Sequence, residues 1–186
     1  MSKDSKIETG GEVAILQIEN PILRKVAQNV PIEDITSNKI QKVISDMKQA
    51  MSRQKDGVAI AAPQIGVSLR IFAVSDLVMK EADSEYKSIG KDIVFINPEI
   101  TKLSRDKHQV EEGCLSVRWK YGKVNRSIKA TLRGYNELGE KVERGASGLL
   151  AQIFQHETDH LDGILFIDKA TDVEDVPPEE LKKDAK

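Results

Sequence analysis

Two histidines one helical turn apart, in Gln155-His156-Glu157-Thr158-Asp159-His160, constrain this chain more than any other stretch of it. In a helix, positions i and i+4 stack on one face with β-carbons roughly 5–6 Å apart, so both imidazoles can reach a single metal ion. Glu157 is turned about a third of a turn away at the ~3.6-residue period. That placement suits a metal-bound water, and general acid/base work, better than the ion itself. Residues 146–161 supply the helix: Ser147 can cap its start, Leu149, Leu150, Ile153, Phe154 and Leu161 form an apolar face, and Gly163 can end it in a left-handed conformation. Both histidines then project from the buried side. The chain has three histidines, and two of them in one such frame weigh against an inert helix.

A catalytic metal is commonly held by three protein ligands with a fourth position left for water or substrate, so the missing ligand separates the enzyme classes. The long zinc-peptidase pattern holds through Gly163 but meets Phe166 where a third histidine should stand, which excludes it. A downstream glutamate of the thermolysin kind is offered by Glu174, Glu179 or Glu180. These lie in a polar, Pro-interrupted tail that packs poorly beside a metal. Cys114, the single cysteine, stands in Glu111-Glu112-Gly113-Cys114-Leu115-Ser116. A lone thiol is ordinarily a small buried hydrophobe. Here Gly113 lets the backbone come close to another group, and a cation would hold the thiol as thiolate. A Cys-His-His set suits ferrous iron or zinc.

Three motifs stand in order: Gly57-Val58-Ala59-Ile60-Ala61-Ala62-Pro63-Gln64, then Glu112-Gly113-Cys114-Leu115-Ser116, then Gln155-His156-Glu157-Thr158-Asp159-His160. Together, and in this order and spacing, they resemble the peptide deformylases from about Ile18 to Lys169. The resemblance implies removal of the formyl group from N-formylmethionyl nascent polypeptides, with release of formate. It implies one divalent metal on Cys114, His156 and His160, with Fe2+ first and Zn2+, Ni2+ or Co2+ also accepted by such ligands. Metal-bound water is acidified, Glu157 moves the proton, and the Gln64 amide and Leu115 backbone N–H stabilise the charge on the formyl oxygen. Gly57, Val58, Gly113, Leu149 and Gln152 would face the substrate. Glu112 and Arg126 would pair behind the Cys114 loop and hold it in place.

Departures from the family pattern concentrate around the substrate. Ala59 stands where glycine is usual, and its methyl narrows the approach to the backbone. Arg118 and Tyr121 replace a usual proline and arginine, so Arg118-Trp119-Lys120-Tyr121 makes a cationic, aromatic rim that either holds a substrate carboxylate or is simply solvated. Gln152 replaces an aliphatic residue in what should be a mostly apolar methionine pocket. These four positions motivate an alternative: a relative with altered substrate preference, or one that binds an N-terminus without deformylating it.

The 186 residues fit one catalytic domain, with an ordered core of about 12–171 and flexible ends at 1–11 and 172–186. The chain shows no apolar run long enough to span a membrane, and its polar start Met1-Ser2-Lys3 lacks a signal core. One cysteine agrees with a reducing compartment, so the cytoplasm is expected. A net charge of −2 gives no general attraction to DNA. Lys182 and Lys183 offer a short cationic run for a transient ribosome contact, but the acids beside them favour plain solvation.

Helical signals fall at Asn20–Gln28 and, with Ile40, Val43, Ile44, Met47 and Met51 in phase, at Asn38–Arg53. Strand signals fall at Leu69–Val74, Ile93–Ile96, Ile100–Leu103, His108–Glu111, Ser127–Tyr135 and Lys141–Arg144, with a hairpin turn at Asn136-Glu137-Leu138-Gly139. His108 alternates with Val110 and is expected to be exposed. The fold class is α+β: mixed or antiparallel sheets packed around a C-terminal metal-binding helix, with a long N-terminal helix.

Overall fold

The computed structural model describes residues 13–82, 86–88 and 90–177. The expectations for the end 1–11, and those resting on Glu179, Glu180, Lys182 and Lys183, lie outside the described residues.

Phe72, in the run Ile71-Phe72-Ala73-Val74, shows how the centre is built. All four side chains are buried, as a strand covered on both faces requires. The strand β2 (Ile71–Val74) lies between β1 (Ala59–Ala61) and β3 (Ile93–Leu103), and β6 (Lys129–Tyr135) and β7 (Lys141–Ser147) complete an antiparallel sheet in the order β1-β2-β3-β6-β7. Because side chains alternate along a strand, Ile71 and Ala73 face the helix α1 (Asn38–Ser52), packing with Ile44 and Met47. Phe72 and Val74 face the opposite way, onto the helix α3 (Gly148–Leu161). There Phe154 meets Phe95 edge-on at 5.3 Å between ring centroids and Phe72 at 6.2 Å. The two long helices thus cover opposite faces of one sheet, and a short helix α2 (Asp76–Ala82) follows β2.

A second antiparallel sheet, in the order β4-β5-β8, joins β4 (Lys107–Gly113), β5 (Lys120–Ser127) and β8 (Thr171–Asp175). Its β4 ends at Gly113, which delivers Cys114 to the side of α3. Among the described residues, no helix is long and apolar enough to cross a membrane.

Several boundaries differ from the sequence reading for identifiable reasons. The segment expected to be helical over Asn20–Gln28 is a single 3-10 turn at Pro21–Arg24, because Gln28 is drawn into a parallel bridge with Leu69. Ile93–Ile96 and Ile100–Leu103 belong to one strand whose register slips between Ile96 and Glu99. Asn97, at φ 50°, bends the chain there, and its side chain bonds the N–H and carbonyl of Val30. The expected strand Ser127–Tyr135 begins only at Lys129. Residues 120–127 form β5, whose inward positions are Gly122, Val124 and Arg126 rather than an apolar series. Residues 172–175, expected to open a flexible end, belong with Thr171 to β8, held through backbone pairing although every side chain is exposed. The hairpin at Asn136–Gly139 joins β6 to β7, with the Asn136 side chain accepting from the N–H groups of Leu138 and Glu140. His108 is exposed.

Candidate active site

The helix α3 ends where Gly163 adopts φ +74°, but Ser147 makes no side-chain cap although it occupies the N-cap position. Gln155 compensates. Its Oε1 accepts from the Ser127 N–H at 3.0 Å and its Nε2 donates to the Ser127 carbonyl at 2.9 Å, which locks the helix to the end of β5. The histidines of the next turn are thereby fixed in direction. His156 and His160 stand 4.9 Å apart between ring centroids, and Cys114 Sγ lies 3.2 Å from His160 Nε2. One donor atom from each of Cys114, His156 and His160 lies within 4.8 Å of the others, close enough to hold one ion.

Behind them runs a chain of charge. His156 Nδ1 lies 2.9 Å from Glu112 Oε2, which leaves Nε2 to face the site. Arg126 grips Glu112 with two bonds of 2.7 and 2.9 Å, and donates to Asp159 at 2.6 Å. Lys169 closes the chain on Asp159. Burial pushes the Glu112 carboxyl up, but the hydrogen bonds from Arg126 and His156 outweigh it and bring it down to about 2. Glu112 and Arg126, expected as a pair, are therefore a buried ion pair, 4% and 5% exposed. Asp159 was not singled out by the sequence reading, although its place between the histidines on the next face of the helix is a signal that geometry makes plain.

Burial sets the direction at Glu157 and His160. It raises the Glu157 carboxyl to about 7, the nearby His156 charge opposing it. It lowers His160 well below the usual imidazole range, and His156 adds to that, so His160 keeps a free lone pair. At His156 burial is outweighed by hydrogen bonds with Cys114 and Glu112, which raise it well above that range. Glu157 Oε2 and His160 Nδ1 are buried with no hydrogen-bond partner. A buried carboxylate oxygen left bare is costly unless something polar meets it there.

Gln64 comes from a 3-10 turn, Ala62–Ile65, just after β1, rather than from an open loop. It is 2% exposed. Its Oε1 accepts from the Ala61 N–H at 2.8 Å, so its Nε2 must point onward, to Ser116 Oγ at 3.1 Å and Cys114 Sγ at 3.6 Å. Ser116 is a second residue that sequence reading left unused.

These groups open onto a cavity of about 260 Å³ that holds Gln64, Cys114, His156 and Glu157 at its inner end. Val58, Ala59, Leu115, Leu149 and Trp119 belong to the apolar part of the remaining lining, beside Asp56, Glu111 and Arg118, and Val58, Leu149 and Trp119 are exposed there. Leu149 thus belongs to the cavity and not to the buried face of α3. Gln152 lines it too, with its amide donated to the Glu111 carbonyl at 2.9 Å. Gly113 stands there because a β-carbon would come within 2.6 Å of the Tyr121 ring. Gly57 does not line the cavity: its missing side chain makes room for the Met51 carbonyl, 2.4 Å from where a β-carbon would sit. Arg118 neither stands free for a carboxylate nor is simply solvated, since Asp56 and Gln54 occupy its guanidinium.

A family profile described as Polypeptide deformylase matches residues 13–176. The chain belongs to that family. It is 43% identical over 159 residues to a peptide deformylase of Desulforudis audaxviator, covering 86% of this chain and 94% of the relative. A peptide deformylase of Carboxydothermus hydrogenoformans is 41% identical over 160 residues, covering 86% and 93%. Among solved structures, the peptide deformylase of Thermotoga maritima superposes with a TM-score of 0.73 at 32% identity, covering 87% of this chain and 99% of that one. An actinonin-bound peptide deformylase of Acinetobacter baumannii gives 0.74 at 32%, covering 86% and 98%. The chain is accordingly a metal-dependent hydrolase that removes the N-terminal formyl group from nascent polypeptides. A non-catalytic relative with the same fold is not favoured.

Proposed function

We propose that Cys114, His156 and His160 hold the metal of this reaction, that Glu157 is its acid/base, and that Gln64 and the Leu115 N–H receive the charge on the formyl oxygen. The observation that carries this is the bare, buried Glu157 Oε2 beside three converging donors. A sulfur and two imidazoles, one kept neutral by burial, fit a borderline divalent cation. We assign Fe2+ as the native ion, with Zn2+, Ni2+ and Co2+ accepted by the same donors. When bound, the cation supplies Lewis-acid polarisation of the substrate oxygen and a water of lowered pKa.

The chain's own residues do the rest. Glu157, raised to about 7, takes the proton of the attacking water and returns it to the leaving amine near neutral pH. Gln64 cannot turn, because Ala61 holds its oxygen, so a donor stands ready where negative charge develops. Glu112 fixes the ring of His156, and Arg126 fixes Glu112.

An N-formylmethionyl peptide fits the cavity by its backbone and its side chain. Each of β1 and β4 is an edge strand, and residues from both line the cavity, so an extended peptide can lie between them. Val58, Leu149 and Trp119 offer apolar surface to methionine, and Gln152, its amide turned to Glu111, adds only its methylenes. The cytoplasm is the compartment that suits a free thiol in this role.

Glu157→Ala should keep its metal, by elemental analysis of anaerobically purified protein, and release no formate from formyl-Met-Ala-Ser. Undiminished formate release would remove Glu157 from the mechanism.

A further inference from the structure

The cavity has two banks, and two side-chain ties join them. At the inner end Gln64, which follows β1, donates to Ser116, which follows Cys114. At the mouth Arg118 reaches across to the segment that leads into β1: its Nη1 pairs with Asp56 Oδ2, and its Nη2 donates to Asp56 Oδ1 at 3.1 Å and to Gln54 Oε1 at 3.2 Å. The guanidinium carbon lies 4.5 Å over the Trp119 ring. Asp56, Arg118 and Trp119 all line the cavity. Gln17 supports the bank that carries Arg118, donating to the Leu115 carbonyl at 3.0 Å and accepting from the Arg118 N–H at 3.4 Å.

A forked guanidinium stacked on an indole is a stiff strut, with fewer ways to relax than a lysine would have. The Arg118 side chain is 17% exposed, and its hydrogen bond holds the Asp56 carboxyl below its usual range. The tie is therefore partly shielded from water, although Asp56 itself is half exposed.

We propose that Arg118, tied to Asp56, is a positioning residue that sets the width of the cavity mouth, and so the grip on substrate residues that follow the formylated one. This rests on the reading that the substrate lies between β1 and β4. The inner tie governs the banks where the formyl group reacts, and the outer tie governs them where the second and third residues lie. A peptide long enough to reach the mouth uses a bed already held open at the right width. A single formylated residue does not reach it. Pre-organisation of this kind shows in KM more than in kcat.

The test compares formyl-Met-Ala-Ser with formyl-methionine amide in the metal-loaded enzyme. In Arg118→Ala the ratio of kcat/KM for the tripeptide over the single residue should fall about tenfold, through the tripeptide KM. Asp56→Asn, which keeps the shape of that exposed residue, should lower the ratio in the same direction, and Arg118→Lys should restore part of it. The charge swap Asp56→Arg with Arg118→Asp should recover more than either single change. An equal loss on both substrates, or a loss confined to kcat, would make Arg118 a mere structural residue and overturn the proposal. A wild type indifferent to substrate length overturns it through its premise, the bed between β1 and β4. A length-preferring wild type whose ratio neither variant moves overturns it while leaving that bed standing.

Discussion

The network behind His156 shows how single residues share the work. Glu112 is buried, bonded twice to Arg126 and once to His156, and its carboxyl sits at about 2 against an ordinary 4.5. Because the folded value lies below the unfolded one, the stabilisation is complete above about pH 4.5 and drains as the pH falls toward 2. A shift of that size is worth roughly 3 kcal/mol, in line with the cost of stripping one partner from a buried pair. Glu112→Gln should therefore lower the free energy of unfolding by roughly that amount at pH 7, and urea titrations should find a smaller gap from wild type at pH 3. A gap that stays constant with pH would contradict the pairing. At this scale the sequence was informative where chemistry is local: His156, Glu157 and His160 fall within five consecutive residues. It marked Arg118 as a rim residue but not its pairing, because Asp56 lies 62 residues earlier and becomes a neighbour only through folding. The bonds of Gln17 to Leu115 and of Gln64 to Ser116 were hidden for the same reason.

Among the elements, β4 and β5 meet at Gly113 and Tyr121, and their spacing decides where Cys114 is delivered. A β-carbon at position 113 would come within 2.6 Å of the Tyr121 ring. Gly113→Ala should push the strands apart and weaken metal retention, read as faster loss of the ion to a chelator. Adding Tyr121→Ala should recover part of that retention, since the clash is with a side chain. The helix α3 offers a second case. Phe154 packs on Phe72 and Phe95, and Phe154→Ala should cost roughly 3–5 kcal/mol by urea unfolding. Elements with a strong period were legible, such as α1 and α3. The strands β5 and β8 were not, because Gly122 and Arg126 fill inward positions of one and the other is exposed throughout. Backbone pairing holds them, and pairing leaves little trace in side-chain pattern.

For the whole molecule, the decisive arrangement is one sheet with α1 on one face and α3 on the other, and a smaller sheet that brings the thiol in from the side. The α+β class was readable from strands preceding a histidine-bearing helix. Which face each helix would take was not, since Ile71-Phe72-Ala73-Val74 is apolar throughout and favours neither side until both are covered. The account depends on three groups from two sheet-linked segments sharing one cation. Replacing the native ion with Co2+ reads this directly, because a bound thiolate gives cobalt an intense near-ultraviolet charge-transfer band. The wild-type protein should show that band, and Cys114→Ala should lack it while keeping its fold. A cobalt spectrum with no thiolate band, or one unchanged in Cys114→Ala, would contradict the account.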